Sequence, residues 1–262
     1  MRIKIVFELK KNDLIPLDQQ YILSLWFQNI FAESSKYCGG KKNFEFYTFS
    51  SLNPEGAWKT THEAIKPFCR FFTLDFSVLI PESCFSELQN MFLGRMLHIG
   101  HRASDSLLMG SSYQGAILEV KEFEQEPHPV SSKTIKAISP ILVTKEERSR
   151  KGKSINRYVA PESDEYQELF FKSMLRRYSK WCSENNSKFT FSNKTLQGMS
   201  LKYLGKQPKK VYVSLWEQTP QHERVTAYAY DFEIQTIPEI VDFGLEAGFG
   251  EMCQFGFGFC CF

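Results

Sequence analysis

The sequence predicts an α+β fold: two tandem βαββαβ units of ferredoxin-like type, closed by a C-terminal glycine-rich loop. Three observations predict it. Stretches with apolar residues at every second position are interleaved with stretches of helical period. The order strand, helix, strand, strand, helix, strand occurs once in each half of the chain, which is the split βαβ arrangement. Between the halves lies EQEPHP at 124–129, a polar segment whose two prolines interrupt strand pairing. The expected domains are therefore 1–126 and 130–262.

Each element has its own justification. Residues 3–9 alternate as a strand. Turn residues follow at 12–18, and Leu17, Tyr21, Leu25, Ile22, Trp26, Phe27 and Ile30 then recur at helical spacing to about Phe31. The aromatic stretch 44–49 and the stretch 68–78 read as strands. A helix is expected over 81–93, opened by Pro81 at a tolerated first-turn position, with a strand at 116–123. In the second half, 136–144 is strand-like, a basic hairpin segment intervenes, and 162–181 is a helix carrying Tyr166, Leu169, Phe170, Met174, Leu175 and Tyr178 on one face. Strands are expected at 211–216 and 225–234, a short helix at 238–245 and a closing strand at 254–262. A helix-covered antiparallel sheet leaves one open face on which such units commonly bind ligands.

Composition sets the outer limits. The 262 residues are 42% hydrophobic and 15% aromatic, enough for one large or two modest cores. Apolar runs are far shorter than the ~18–20 residues a membrane span needs, and the start alternates where an export signal would carry an apolar block. A soluble, cytoplasmic protein without membrane partners is expected. Seven cysteines, at 38, 69, 84, 182, 253, 260 and 261, form no C-x-x-C pair, so neither a disulfide framework nor a zinc knuckle is indicated. His98 and His101 lack the carboxylate spacing of a metal helix, so no metal and no cofactor are expected.

Net charge is only +2, but its distribution is uneven. Residues 131–215 hold 18 Lys and Arg against 7 Asp and Glu, leaving 14 against 23 for the rest. The densest part, KEERSRKGKSINR at 145–157, has six cations and two acids and suits a hairpin tip. Two readings are open: a solvated loop of mixed charge, or a contact for a polyanion through Lys151, Lys153 and Arg157. A second basic group, Lys202, Lys206, Lys209 and Lys210, precedes the strand-like VYVSLW and favours nucleic acid. The G-K-S at 152–154 is no phosphate-binding P-loop, because Glu147 stands where that motif requires glycine.

The last fifteen residues carry Gly248-Phe249-Gly250 and Gly256-Phe257-Gly258. If residues 254–262 form a strand, Phe255, Phe257, Phe259 and Cys261 fill a core while Gly256 and Gly258 leave the other face bare. A dinucleotide fingerprint is excluded, since no helix follows the glycines. Either the glycines make room for a neighbouring element, or their backbone N–H groups cradle phosphates beside the basic middle of the chain.

The segment GLEAGFGEMCQFGFGF resembles the C-terminal glycine-rich signature of the CRISPR-associated endoribonucleases that cut precursor CRISPR RNA within its repeats. The tandem halves, the stretch 137–141 and the basic segment around Lys151 are similar to that family in the same order. The resemblance implies binding of repeat RNA and metal-independent cleavage: the 2′-hydroxyl attacks its own phosphate, leaving a 2′,3′-cyclic phosphate and a 5′-hydroxyl. Such chemistry needs a base for the 2′ proton, an acid for the departing oxygen and a cation beside the phosphorus. Relatives use His, Tyr and Lys on the first helix and the loop after it. Here Gln28 stands near the helix position, and SSKYCGGKK offers Lys36, Tyr37, Lys41 and Lys42 but no His. Tyr37, Lys42 and, from WKTTHEAIK, His62 are the catalytic candidates. Gly248, Gly250, Gly256, Gly258, Lys151, Lys153, Arg157, Lys209 and Lys210 are the candidates for RNA contact. Three roles stay open: a cutting enzyme feeding an interference complex, a repeat-binding subunit that has lost cleavage, and a general tandem RNA-binding module. A homodimer is compatible with each.

Overall fold

The computed structural model describes the chain except for residues 10–14, 18, 34–43, 61–63, 81–83, 94, 100–112, 123–131, 149–151, 153, 192–195 and 217–219. The first half contains β1 (Arg2–Leu9), β2 (Ile15–Pro16), α1 (Gln20–Glu33), β3 (Tyr47–Phe49), β4 (Asn53–Pro54), β5 (Trp58–Thr60), β6 (Ala64–Pro67), β7 (Phe71–Val78), α2 (Phe85–Phe92), β8 (Met96–Ile99) and β9 (Tyr113–Glu122). Its main sheet has the order β3-β7-β1-β9-β8, with every pairing antiparallel. The second half contains β10 (Ser132–Ala137), β11 (Thr144–Arg148), β12 (Ser154–Tyr158), α3 (Tyr166–Glu184), β13 (Ser200–Leu215), β14 (Glu223–Gln235), α4 (Pro238–Ala247) and β15 (Cys260–Cys261). Its sheet has the order β13-β14-β10-β15.

The two sheets share one plan. In each, the second strand of the βαββαβ series lies outermost, followed by the third, the first and the fourth: β3-β7-β1-β9 and β13-β14-β10-β15. This is the expected tandem ferredoxin-like fold. The first half adds β8 at the far edge and a small β2-β6-β5 sheet; the second inserts the β11–β12 hairpin after its first strand.

Burial follows the sequence periods. Helix α1 turns Leu23, Trp26, Phe27, Ile30 and Phe31 inward, at the three- and four-residue spacing of one helical face. Phe27 stands 4.7 Å, ring centre to ring centre, from both Phe49 and Phe76. Helix α3 does the same with Phe170, Phe171, Met174 and Leu175, covering Phe232 and Ile234 of β14. A smaller cluster joins Leu142, Val213, Leu215, Val225, Ala227, Phe255 and Phe257, with Tyr21 of α1 packed against it.

Two expected strands are corrected. The stretch 136–144 is not continuous: β10 ends at Ala137, and the N–H groups of Ile138 and Ser139 both donate to Phe259 O, at 2.9 and 3.0 Å. Pro140 has no N–H to continue a ladder, and only an isolated Ile141–Tyr228 bridge precedes β11. The stretch 254–262 is not a strand either. A 3-10 turn occupies Cys253–Phe255, Gly256 and Gly258 have φ of 80° and 69°, and pairing is limited to Cys260–Cys261. Positive φ at alternate residues destroys the pleat, so the two-faced partition of phenylalanines and glycines never forms. The 124–129 segment lies outside the described residues.

Candidate nucleic-acid interface

The glycine segment, for which the sequence left a packing role and an open phosphate cradle as alternatives, is closed. Gly248, Gly250, Gly256 and Gly258 are all buried. A Cβ on Gly258 would stand 1.9 Å from Phe249 O, one on Gly250 2.5 Å from Leu142 O, and one on Gly256 2.6 Å from the Phe49 ring. Their donors are spent within the protein: Gly258 N–H donates to Pro140 O at 2.8 Å, Gly256 N–H to Cys253 O at 2.8 Å and Gly250 N–H to Met174 Sδ at 3.3 Å. These three N–H groups are thus not free for a phosphate, and the fourth glycine, Gly248, is buried with them. The bare-face expectation is therefore corrected, and the packing alternative holds.

What the segment does is join the halves. Thr48 of β3 donates its hydroxyl to Phe257 O at 2.8 Å, and Gly256 lies flat against Phe49 of the same strand. Arg2 of β1, buried, donates to Leu245 O at 2.6 Å and also to Cys260 O. From α3, Arg177 donates to Ala247 O, Gly248 O and Gly250 O at 2.5, 2.8 and 2.9 Å, which satisfies carbonyls left over at the end of α4.

The basic hairpin forms as expected, with β11 and β12 paired from Thr144–Tyr158 to Arg148–Ser154. Lys151 and Lys153 lie outside the described residues. At the tip Gly152 is exposed, with φ of 76° and open space around it. The cations at the base are engaged. Lys145 Nζ bonds Glu165 at 2.5 Å, and Arg157 bonds Glu147 at 2.6 Å and Glu165 as well. Those bonds hold the Glu165 carboxyl below the ordinary carboxylate range and push the Arg157 guanidinium up. Arg157 is thus a brace between hairpin and α3. Tyr158 donates its hydroxyl to Glu223, tying the hairpin to β14.

The ribbon of β13 and β14 differs. Strand β13, SLKYLGKQPKKVYVSL, carries four lysines and no acid. Lys202, Lys209 and Lys210 are exposed, and none of them has an ion pair among the described residues. The register shifts between Leu204 and Lys209, where Gly205 has φ of 76°, so the lysine-rich middle bulges from the ladder. On one face Val213, Leu215, Val225 and Ala227 are buried; on the other Lys210, Tyr212 and Arg224 are exposed. Sequence reasoning found Lys209 and Lys210 but passed over Tyr212 and Arg224. The alternation of Val211, Val213 and Leu215 was the available signal for which side Tyr212 takes.

The catalytic candidates Tyr37, Lys42 and His62 all lie outside the described residues. Gln28 is exposed on α1. Among the described residues no group of three His, Cys, Asp or Glu side chains is placed to hold a metal, and no helix is long and apolar enough to cross a membrane.

Residues 124–261, just over half of the chain, match the family model for CRISPR associated protein Cas6, C-terminal. The chain belongs to the Cas6 family. No curated protein matches it. Among solved structures it is similar to a "CRISPR associated protein Cas6" at 19% identity and a TM-score of 0.72, over 99% of this chain and 98% of that one. It is similar to "An RAMP protein binding different RNA substrates" at 16% and 0.75, over 100% and 98%. A Cas6-related protein from Pyrococcus furiosus gives 17% and 0.72, over 99% and 97%. At these identities the likeness speaks to the fold. The Cas6 match takes in the hairpin, the β13–β14 ribbon and the glycine segment together, so the family signature read in the sequence coincides with the joint between the two halves.

Proposed function

We propose that this Cas6-family chain binds the repeat of precursor CRISPR RNA and cuts within it, without a metal, to yield guide RNAs for an interference complex in the cytoplasm. The observation that carries the reading is the family match over 124–261 on a tandem ferredoxin-like fold. The acid-free lysine strand β13 supports it, because a polyanion needs unpaired cations and this ribbon presents them. The glycine segment supports it indirectly, by bonding the two halves to each other through Thr48 and Arg2.

In this reading the 2′-hydroxyl of one nucleotide attacks its 3′-phosphate. His62 accepts the 2′ proton, Tyr37 donates to the departing 5′ oxygen, and Lys42 neutralises charge growing on the phosphorus oxygens. Cognate CRISPR repeat RNA, incubated with purified protein in EDTA, should be cut at one site with cyclic-phosphate and 5′-hydroxyl ends. His62→Ala, Tyr37→Phe and Lys42→Ala should each slow that cut by about 100-fold or more. The absence of His from 34–43 favours a second reading, a repeat-binding subunit without cleavage. Tight binding of RNA that stays intact would establish that reading in place of the first.

A further inference from the structure

One aromatic ring on the ribbon is held in a setting the lysines alone do not explain. Tyr212 is 48% exposed and is the single large apolar or aromatic side chain of β13 and β14 that stands out so far among the described residues. The register sets it opposite Thr226, with Lys210 opposite Tyr228 and Ser214 opposite Arg224, so that Lys210, Tyr212 and Arg224 share one face. The Arg224 guanidinium carbon is 4.2 Å from the Tyr212 ring centre, and Lys210 Nζ is 5.2 Å from it. Neither cation is ion-paired among the described residues. On the β11–β12 hairpin, by contrast, Lys145 and Arg157 are met by Glu165 and Glu147.

We infer that Tyr212 and Arg224 form a stacking platform for one unpaired base of the bound RNA, with Lys210 on the adjoining phosphate; the inference rests on the RNA-binding function proposed above. A protein partner would call for a contiguous apolar patch, whereas this ring stands alone among cations. An aromatic face paired with a planar guanidinium offers two surfaces on which a base can stack, and flanking cations meet the backbone on either side of it. A base inside a stem has both faces covered by its neighbours, so the occupant is a nucleotide outside the paired part of the repeat. The buried face of the ribbon fixes the platform from beneath: Val213, Leu215, Val225 and Ala227 pack on Phe255 and Phe257.

The full chain is mixed in EDTA with single-repeat RNAs carrying 2-aminopurine at one unpaired position at a time, and a 2′-deoxy nucleotide at the cut site. Wild type should quench the probe strongly at one position. Tyr212→Ala should abolish that quench and weaken binding about tenfold at every salt concentration, with the salt slope unchanged, since stacking releases no counterion. Tyr212→Phe should retain both quench and affinity, and Lys210→Ala should instead lower the slope by about 0.7. Because the ring lies outside the core, the melting temperature of each variant should stay at the wild-type value. Wild-type quenching and affinity in Tyr212→Ala, with the repeat still tightly bound, would overturn the platform and leave RNA binding standing. A wild-type chain that does not bind the repeat would overturn the proposed function, and the platform with it.

Discussion

The glycine segment and the β13–β14 ribbon invert what their residues suggest. Four glycines promise an open backbone, yet Gly248, Gly250, Gly256 and Gly258 are buried; Gly248 O and Gly250 O accept from Arg177 of α3, Gly258 N–H donates to Pro140 O, and Gly256 N–H donates to Cys253 O within the segment itself. The ribbon has bulky side chains and is paired on both sides of its bulge, and it is the surface that presents charge. What separates them is where the donors go and what a missing Cβ makes room for. Glycine at positive φ permits close approach, and here the approaching atoms belong to the protein itself. The two regions should therefore fail differently: the first should lose stability, the second should lose ligand.

The largest effect is expected at the joint. Gly258→Ala puts a methyl 1.9 Å from a backbone oxygen at φ of 69°, and no side-chain rotation relieves that clash. It should cost at least about 3 kcal/mol, lowering Tm by roughly 6–12 °C. Gly152→Ala, at φ of 76° with open space around it, carries only the left-handed strain, about 1 kcal/mol. Equal Tm losses in the two would mean that backbone strain, and not packing, fixes the glycines. Next comes Arg177→Met, which keeps the aliphatic stem but strips three carbonyls of their donor. About 2 kcal/mol should be lost, read as a lower denaturant midpoint with unchanged m-value.

On the ribbon the expectation reverses. Lys202→Ala, Lys209→Ala and Lys210→Ala combined should leave Tm unmoved, weaken repeat RNA binding about tenfold at low salt and lower the salt slope by about 2. Arg157→Ala is the matching variant on the hairpin. Its charge is already met by Glu147 and Glu165, so its slope should equal that of wild type. A drop in slope for Arg157→Ala as large as for a ribbon lysine would show that the hairpin brace opens to take RNA.

The parts of this molecule legible in the sequence are those governed by a period. Trp26, Phe27 and Ile30 mark the buried stripe of α1, and Ile3, Ile5 and Phe7 mark the inner face of β1, so both βαββαβ series could be read in order. The small β2-β6-β5 sheet could not, because strands of two to four residues give no alternation to detect. The closing segment misled for a related reason: period two was present in its letters, but Gly256 and Gly258 adopt φ values that no alternating strand contains. The joint was invisible altogether. Thr48 meets Phe257 across 209 positions and Arg2 meets Cys260 across 258, separations at which local pattern carries no information. Charge was legible as composition but not as pairing. Lys145 and Lys210 look alike in sequence, and only the position of Glu165 distinguishes a brace from a free cation.

That distinction yields the smallest expected effect, one confined to the hairpin. Lys145 and Arg157 hold the Glu165 carboxyl below its ordinary value of 4.5. A group whose folded-state value is depressed contributes fully above its unfolded value, and the contribution is lost as pH falls through the folded one. The brace should therefore be intact at neutral pH and loosen only in acid, below about pH 4.5. Because Arg157 is exposed and Lys145 and Glu165 are only half-buried, salt screens the pairs and global stability should hardly register the change. Local opening should. Hydrogen-exchange protection at the β11–β12 pairs, corrected for intrinsic rate, should fall on acidification in wild type while the β13–β14 pairs stay protected. In Glu165→Gln the hairpin should be weakly protected at every pH, with no acid transition. A hairpin whose protection in wild type is flat across that window would mean that backbone pairing alone holds it, and that its cations are as free for RNA as those of the ribbon.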